Sequence, residues 1–153
     1  MTSLFERVFV LMLIGLPLHA EYLHVELSIG GLDCISCAQS VDKVLKKIRG
    51  IETASFRTAD SVAIIDLKPG NTVSLREFRD AMKGLGYTPK AARIMARGQA
   101  REESRKWIMQ IAGAGEDYPL DVTGVRPVDG LVIVEGSIAD AAAPLKVSAM
   151  RRE

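Results

Sequence analysis

The chain is poor in cysteine and in aromatic residues: two cysteines, four phenylalanines, three tyrosines and one tryptophan among 153 residues. A closed structural zinc site takes four protein ligands, and there is no second cysteine pair to complete one. The scarcity of aromatics, with a net charge of only +1, leaves neither stacking platforms nor a basic surface for nucleic acid, which is therefore not an expected partner. Charge is also balanced along the chain, at +2 over residues 21–94 and −1 over residues 95–153, so it names no partner by itself. Repeats and low-complexity segments are missing. So are a phosphate-binding glycine loop and a nucleophile triad, and no enzymatic activity is expected.

Long apolar runs are missing too. The run from Val8 to Leu18 falls short of the roughly 20 residues of a membrane-spanning helix, but it suits the core of a secretory signal. Arg7 precedes it and the small residue Ala20 follows. Residues 1–20 are accordingly expected to be a signal peptide, with export to the periplasm or cell envelope. Membrane association is expected only if the signal stays uncleaved. Export would place the cysteines in an oxidising compartment, where a dithiol tends to close.

After residue 20 the pattern becomes regular. Leu23, Val25, Leu27 and Ile29 alternate with His24, Glu26 and Ser28, the signature of a half-buried strand. Val41, Val44, Leu45 and Ile48 recur at helical spacing, and Gly50 is placed to end that helix. "IETASFRTADSVAIIDL" reads as a hairpin turning near Asp60. Ser74 and Glu77 form a capping box ahead of a second helix whose apolar side carries Leu75, Phe78, Met82 and Leu85. A last strand follows Pro89, through about Ile94. The order β-α-β-β-α-β predicts a ferredoxin-like open-faced sandwich of the α+β class over residues 21–94. Residues 95–153 show short β-type runs broken by glycine and proline, which predicts a separate small antiparallel all-β domain, OB-like in pattern. Trp107 is expected in its core. The arginines at 93, 97, 101 and 105 fit a helical stripe, but Gly98 interrupts it and a strand is the better reading.

The stretch that carries chemistry is "GLDCISC", residues 31–37. Cys34 falls in the loop after the first strand and Cys37 in the first turn of the first helix. Unpaired backbone N–H groups there favour negative charge, which serves a thiolate as metal ligand and as redox nucleophile alike. Asp33 raises a neighbouring thiol pKa and works against a fast nucleophile, while its carboxylate is a candidate third ligand. Two thiolates and at most one carboxylate form an open site, suited to soft or borderline ions and to handing them on. A thiol–disulfide redox couple and a structural disulfide remain the alternatives. His24 is expected to be an exposed strand residue.

"GLDCISC" within this element order, with "GLGYTP" before the last strand, resembles the heavy-metal-associated domain of copper chaperones, mercury-binding proteins and metal-pumping P-type ATPases. The resemblance covers residues 22–94. It implies that Cys34 and Cys37 are the metal ligands, with Asp33 as a possible addition. It also implies that Tyr87 lies in the loop beside them and that Leu32 takes a core-packing position. The ion implied is Cu(I) or Zn(II) foremost, with Hg(II) or Cd(II) in the same class. The partner implied is an acidic-faced metal transporter or acceptor domain, met by a basic helix face of Lys43, Lys46, Lys47 and Arg49.

Overall fold

The computed structural model describes residues 20–32 and 34–153. The expected signal peptide, apart from Ala20, and Asp33 lie outside the described residues.

Four strands and two helices form the first half: β1 (Glu21–Gly30), α1 (Ile35–Leu45), β2 (Ile51–Arg57), β3 (Val62–Leu67), α2 (Leu75–Gly84) and β4 (Thr88–Glu103). Their order across the sheet is β2-β3-β1-β4, with every pairing antiparallel. This is the ferredoxin-like arrangement expected from the sequence. Both helices lie on one face and cover Val25, Leu27, Ile29, Ala63 and Ile65, which are all buried. Val41 and Leu45 of α1, and Leu75, Phe78 and Met82 of α2, close that layer.

Three local expectations need correction. The alternation in β1 breaks at Leu23, because the register with β4 shifts between Tyr22 and His24. That bulge turns Tyr22 inward to full burial and leaves Leu23 half-buried. Helix α1 stops at Leu45 rather than running to Gly50. Lys47 and Ile48 bond back only three residues, to Val44 and Leu45, so the last turn tightens and ends. Gly50 instead opens β2, at φ 101°, where an added Cβ would come within 2.9 Å of Val73. Finally, the last strand does not stop near Ile94: β4 continues to Glu103, and the boundary expected between residues 94 and 95 falls inside it.

The second half is all β: β5 (Lys106–Ile111), β6 (Glu116–Asp121), β7 (Gly130–Ile138) and β8 (Leu145–Arg152). Strand β4 belongs to both halves. On one edge it pairs with β1 over 88–97 and then with β5 over 99–103; on the other it pairs with β7 over 92–100. Gly98 marks the changeover from β1 to β5. A Cβ there would sit 2.6 Å from the Gln110 carbonyl oxygen, so the close approach of β5 requires glycine. Pairings β5–β6, β6–β8 and β8–β7 then return to β4 and close a five-stranded barrel, in which β6–β8 is parallel. Met109, Ile111, Val132, Val134 and Leu145 of the barrel join the helix-covered residues in one continuous core, and Trp107 packs against it half-buried.

Polar bonds tie the two halves at the start of β1. Glu116 of β6 accepts from the backbone N–H groups of Leu75 (3.0 Å) and Arg76 (3.1 Å), so the barrel caps the N-terminus of α2. It also accepts from the hydroxyls of Tyr22 (2.7 Å) and Tyr118 (3.1 Å). Burial, reinforced by Tyr118 and the Glu116 carboxylate, pushes the Tyr22 phenol far above its ordinary pKa. Glu21, 1 % exposed, takes the Arg97 guanidinium at 2.8 Å and the Gly70 N–H. Gly113 N–H donates to the Ala20 carbonyl at 2.8 Å.

Candidate metal centre

Strand β1 delivers the chain at Gly30 to a short loop, and α1 begins at Ile35. Gly31 turns the loop at φ 88°, with Tyr87 alongside: an added Cβ at Gly31 would lie 3.9 Å from the Tyr87 ring. Leu32 is half-buried against the core, which anchors the loop. Leu32 thus takes the core-packing position expected of it, and Tyr87 lies against Gly31 of the same loop.

Cys34 is the N-cap of α1, in extended backbone. Its sulfur accepts from the Cys37 N–H at 3.2 Å and lies 3.1 Å from the Ser36 hydroxyl. Sulfur therefore does the work that a Ser, Thr or Asp oxygen does at other helix starts. The same geometry places both cysteines over the positive end of the helix dipole. The two sulfurs are joined as a disulfide, with the Cα atoms 5.2 Å apart. Cys34 is exposed and Cys37 half-buried, at the free end of the sandwich. Among the described residues no group of three or more His, Cys, Asp and Glu side chains is gathered to hold an ion.

Beside Cys34 lies a notch of about 200 Å3 lined by Leu32, Cys34, Ile35, Phe56 and Thr58. Ile35, between the cysteines, is 80 % exposed, and no other large hydrophobic among the described residues is as open. Ser36, and Phe56 from the neighbouring β2, were not singled out from the sequence. The hairpin containing Phe56 was legible, but not that it ends beside the cysteines. On the basic face, Lys46 is engaged by Asp42 at 2.7 Å, while Lys43, Lys47 and Arg49 stay exposed.

His24 is not simply exposed. On the sheet face away from the helices, its Nδ1 meets Asp66 at 2.6 Å and its Nε2 lies 3.7 Å from Glu26. Asp66 also accepts from the Thr53 hydroxyl at 2.8 Å. The His24 bond, then the Thr53 bond, holds the Asp66 carboxyl below its usual pKa. The two carboxylates sit at opposite nitrogens of one ring, so the group does not converge on a point where an ion could sit.

Residues 26–88 match the family model of the heavy-metal-associated domain. Over 62 residues the chain is 37 % identical to copper-transporting ATPase 2 of Rhizobium meliloti (strain 1021), a match that covers 40 % of this chain. The chain spans only 7 % of the length of that relative. Among solved structures, the CopZ metallochaperone is 21 % identical, covering 43 % of this chain and 97 % of its own, with a TM-score of 0.41. The N-terminal domain of a potential copper-translocating P-type ATPase from Bacillus subtilis, in its Cu(I)-loaded state, is 28 % identical. It covers 46 % of this chain and 84 % of its own, also with a TM-score of 0.41. Oxidized MerP from Ralstonia metallidurans CH34 is 23 % identical, covering 43 % and 90 %, with a TM-score of 0.40.

Proposed function

We propose that the protein binds one soft or borderline metal ion through the thiolates of Cys34 and Cys37 and passes it to a partner by ligand exchange. The observation that carries this reading is the placement of both sulfurs at the exposed N-terminus of α1 within a heavy-metal-associated domain. The ion is cargo. The disulfide form has no thiolate to offer, so loading first requires reduction: two electrons and two protons from a dithiol donor convert Cys34–Cys37 to two thiols. These thiols lose their protons as the metal enters. The helix terminus supports the resulting negative charge.

Cu(I) is satisfied by two soft ligands, whereas Zn(II) favours four. Zn(II) would draw on Asp33 and on ligands from a partner. Transfer follows from the openness of the site: an incoming thiolate occupies a free position before Cys34 or Cys37 leaves. Ile35 and the basic residues Lys43, Lys47 and Arg49 would face an acidic acceptor domain or transporter. We read the five-stranded barrel as OB-like, and it serves this reading as a body that leaves the cysteine end uncovered.

Export completes the proposal, with the cell envelope as its place of work. Ala20 sets a constraint on processing. Cleavage immediately after it would remove the carbonyl that accepts from Gly113 and would set a new ammonium on the buried Glu21. A leader cut upstream of Ala20, or left in place, keeps both features.

The test is competitive titration of the reduced chain with a chromogenic Cu(I) chelator and with a Zn(II) indicator. One equivalent of Cu(I), bound tightly and lost with Cys34→Ser, supports copper as cargo. Selective Zn(II) binding that weakens with Asp33→Ala supports zinc. Rapid reduction of a test disulfide, without retention of either ion, would replace the metal reading with a redox one.

A further inference from the structure

A cleft of about 490 Å3 opens where α2 meets the barrel. Its volume is that of an ordinary small-molecule site. It is lined by Arg76, Arg79 and Lys83 of α2 and by Tyr118 and Ile138 of the barrel. Arg79 is set apart from the other basic residues. It is 6 % exposed, although helix periodicity places it beside the apolar Phe78 and Met82, where an uncharged residue is the usual choice.

Its guanidinium is half used. Nη1 donates to the Lys90 carbonyl at 2.9 Å, which fixes the plane of the group against β4. Nε and Nη2 are buried and have no hydrogen-bond partner. These two nitrogens share one edge of the guanidinium, and their N–H bonds run parallel. That edge is the fork that takes both oxygens of a carboxylate or phosphate. A buried charge with two idle donors is costly to keep, and among the described residues Arg79 is in no ion pair. Glu116, which also lines the cleft, spends its oxygens on Leu75, Arg76, Tyr22 and Tyr118. Asp80 and Asp117 also line the cleft but are exposed. Arg76 and Lys83, also exposed, appear in no ion pair among the described residues.

We propose that this cleft binds a small molecule bearing a carboxylate or phosphate group, held two-pronged by Nε and Nη2 of Arg79, with Arg76 and Lys83 at its mouth. Nε and Nη2 are buried, so a ligand reaches them only if the surrounding side chains move. The site lies between α2 and the barrel, so it belongs to the two halves jointly and owes nothing to the cysteines.

The experiment is an NMR titration of the full chain with inorganic phosphate and, separately, with succinate, following the Nε–H signal of Arg79 against chloride at equal ionic strength. A saturable shift with phosphate alone assigns a phosphate group, and one with succinate alone assigns a carboxylate. Arg79→Lys keeps the charge but loses the fork, and is expected to weaken binding by roughly tenfold or more. The Arg76→Ala, Lys83→Ala double variant is expected to weaken it several-fold, and Cys34→Ser to leave it unchanged. An Nε–H signal that responds to phosphate and succinate only as it does to chloride would overturn the proposal. So would undiminished binding in Arg79→Lys. If Arg79→Lys does not fold, the wild-type titration and the double variant still decide.

Discussion

The two ends of β1 differ in nearly every physical respect, although about ten residues and roughly 30 Å of extended chain separate them. At its start, Glu21 and Tyr22 are buried and bonded to Arg97, Gly70, Glu116 and Tyr118. At its finish, the chain passes through Gly31 and Leu32 to an exposed Cys34, whose sulfur bonds only its immediate neighbours. One end welds the barrel to the sandwich. The other carries the cysteine pair on a surface that nothing among the described residues covers. A site that hands an ion to another protein needs the second kind of end, and the first kind supplies the rigidity behind it.

The largest effect is expected at the welded end. Glu116→Ala removes the acceptor of two helix N–H groups and two tyrosine hydroxyls, and should cost about 3 kcal/mol of stability. Urea unfolding followed by Trp107 fluorescence, which reports the barrel, and by helical circular dichroism, which reports the sandwich, should give coincident transitions in the wild type. Separate transitions would break the comparison by showing that the weld is not energetic. Next comes the exposed end: reduction of Cys34–Cys37 should lower stability by at most about 2 kcal/mol, because the loop it closes is so short. It should leave the transitions coincident.

Tyr22→Phe should cost about 1 kcal/mol at neutral pH. Because burial raises the folded-state pKa of Tyr22, its contribution is fully present below the unfolded value near 10. It is lost as alkaline pH ionises the unfolded chain. The wild type should therefore lose stability above about pH 10 more steeply than Tyr22→Phe, as read from pH-dependent unfolding midpoints. The smallest effect is expected at Asp66. Its folded-state pKa is lowered, so its contribution is present above the unfolded value near 4 and is lost as pH falls through the folded one. Asp66→Asn should cost less than about 1 kcal/mol at pH 7, since the side chain is half exposed, and the difference should vanish in acid.

What the sequence disclosed follows from the range of the forces involved. The capping box of α2 reads true at Ser74, which accepts from the Glu77 N–H at 3.1 Å. That interaction spans three residues and leaves a local signature. The second cap of the same helix comes from Glu116, forty residues on, and leaves none. The β1 bulge escaped detection because the alternation from Val25 to Ile29 is regular and the shift lies just ahead of it. The early end of α1 escaped because Ile48 continues the apolar spacing although the backbone has already tightened. Beyond Ile94 the strand itself was legible, since Gly98 breaks the helical arginine stripe, but not that it continues the strand before it, with Gly98 as the corner where β4 changes partners. For the site, the spacing of Cys34 and Cys37 and their place at a helix start were readable from seven residues. The contributions of Phe56, and the idle fork of Arg79, depend on which elements meet.

The central claim is that the reduced pair at the exposed end holds the ion. The most direct measurement is native mass spectrometry of the purified chain, offered Cu(I) or Zn(II) before and after reduction. The account predicts no adduct on the disulfide form, a single metal ion on the reduced form, and none on the Cys34→Ser, Cys37→Ser variant. An ion that binds equally while the disulfide is intact, or that persists in the double variant, would contradict it.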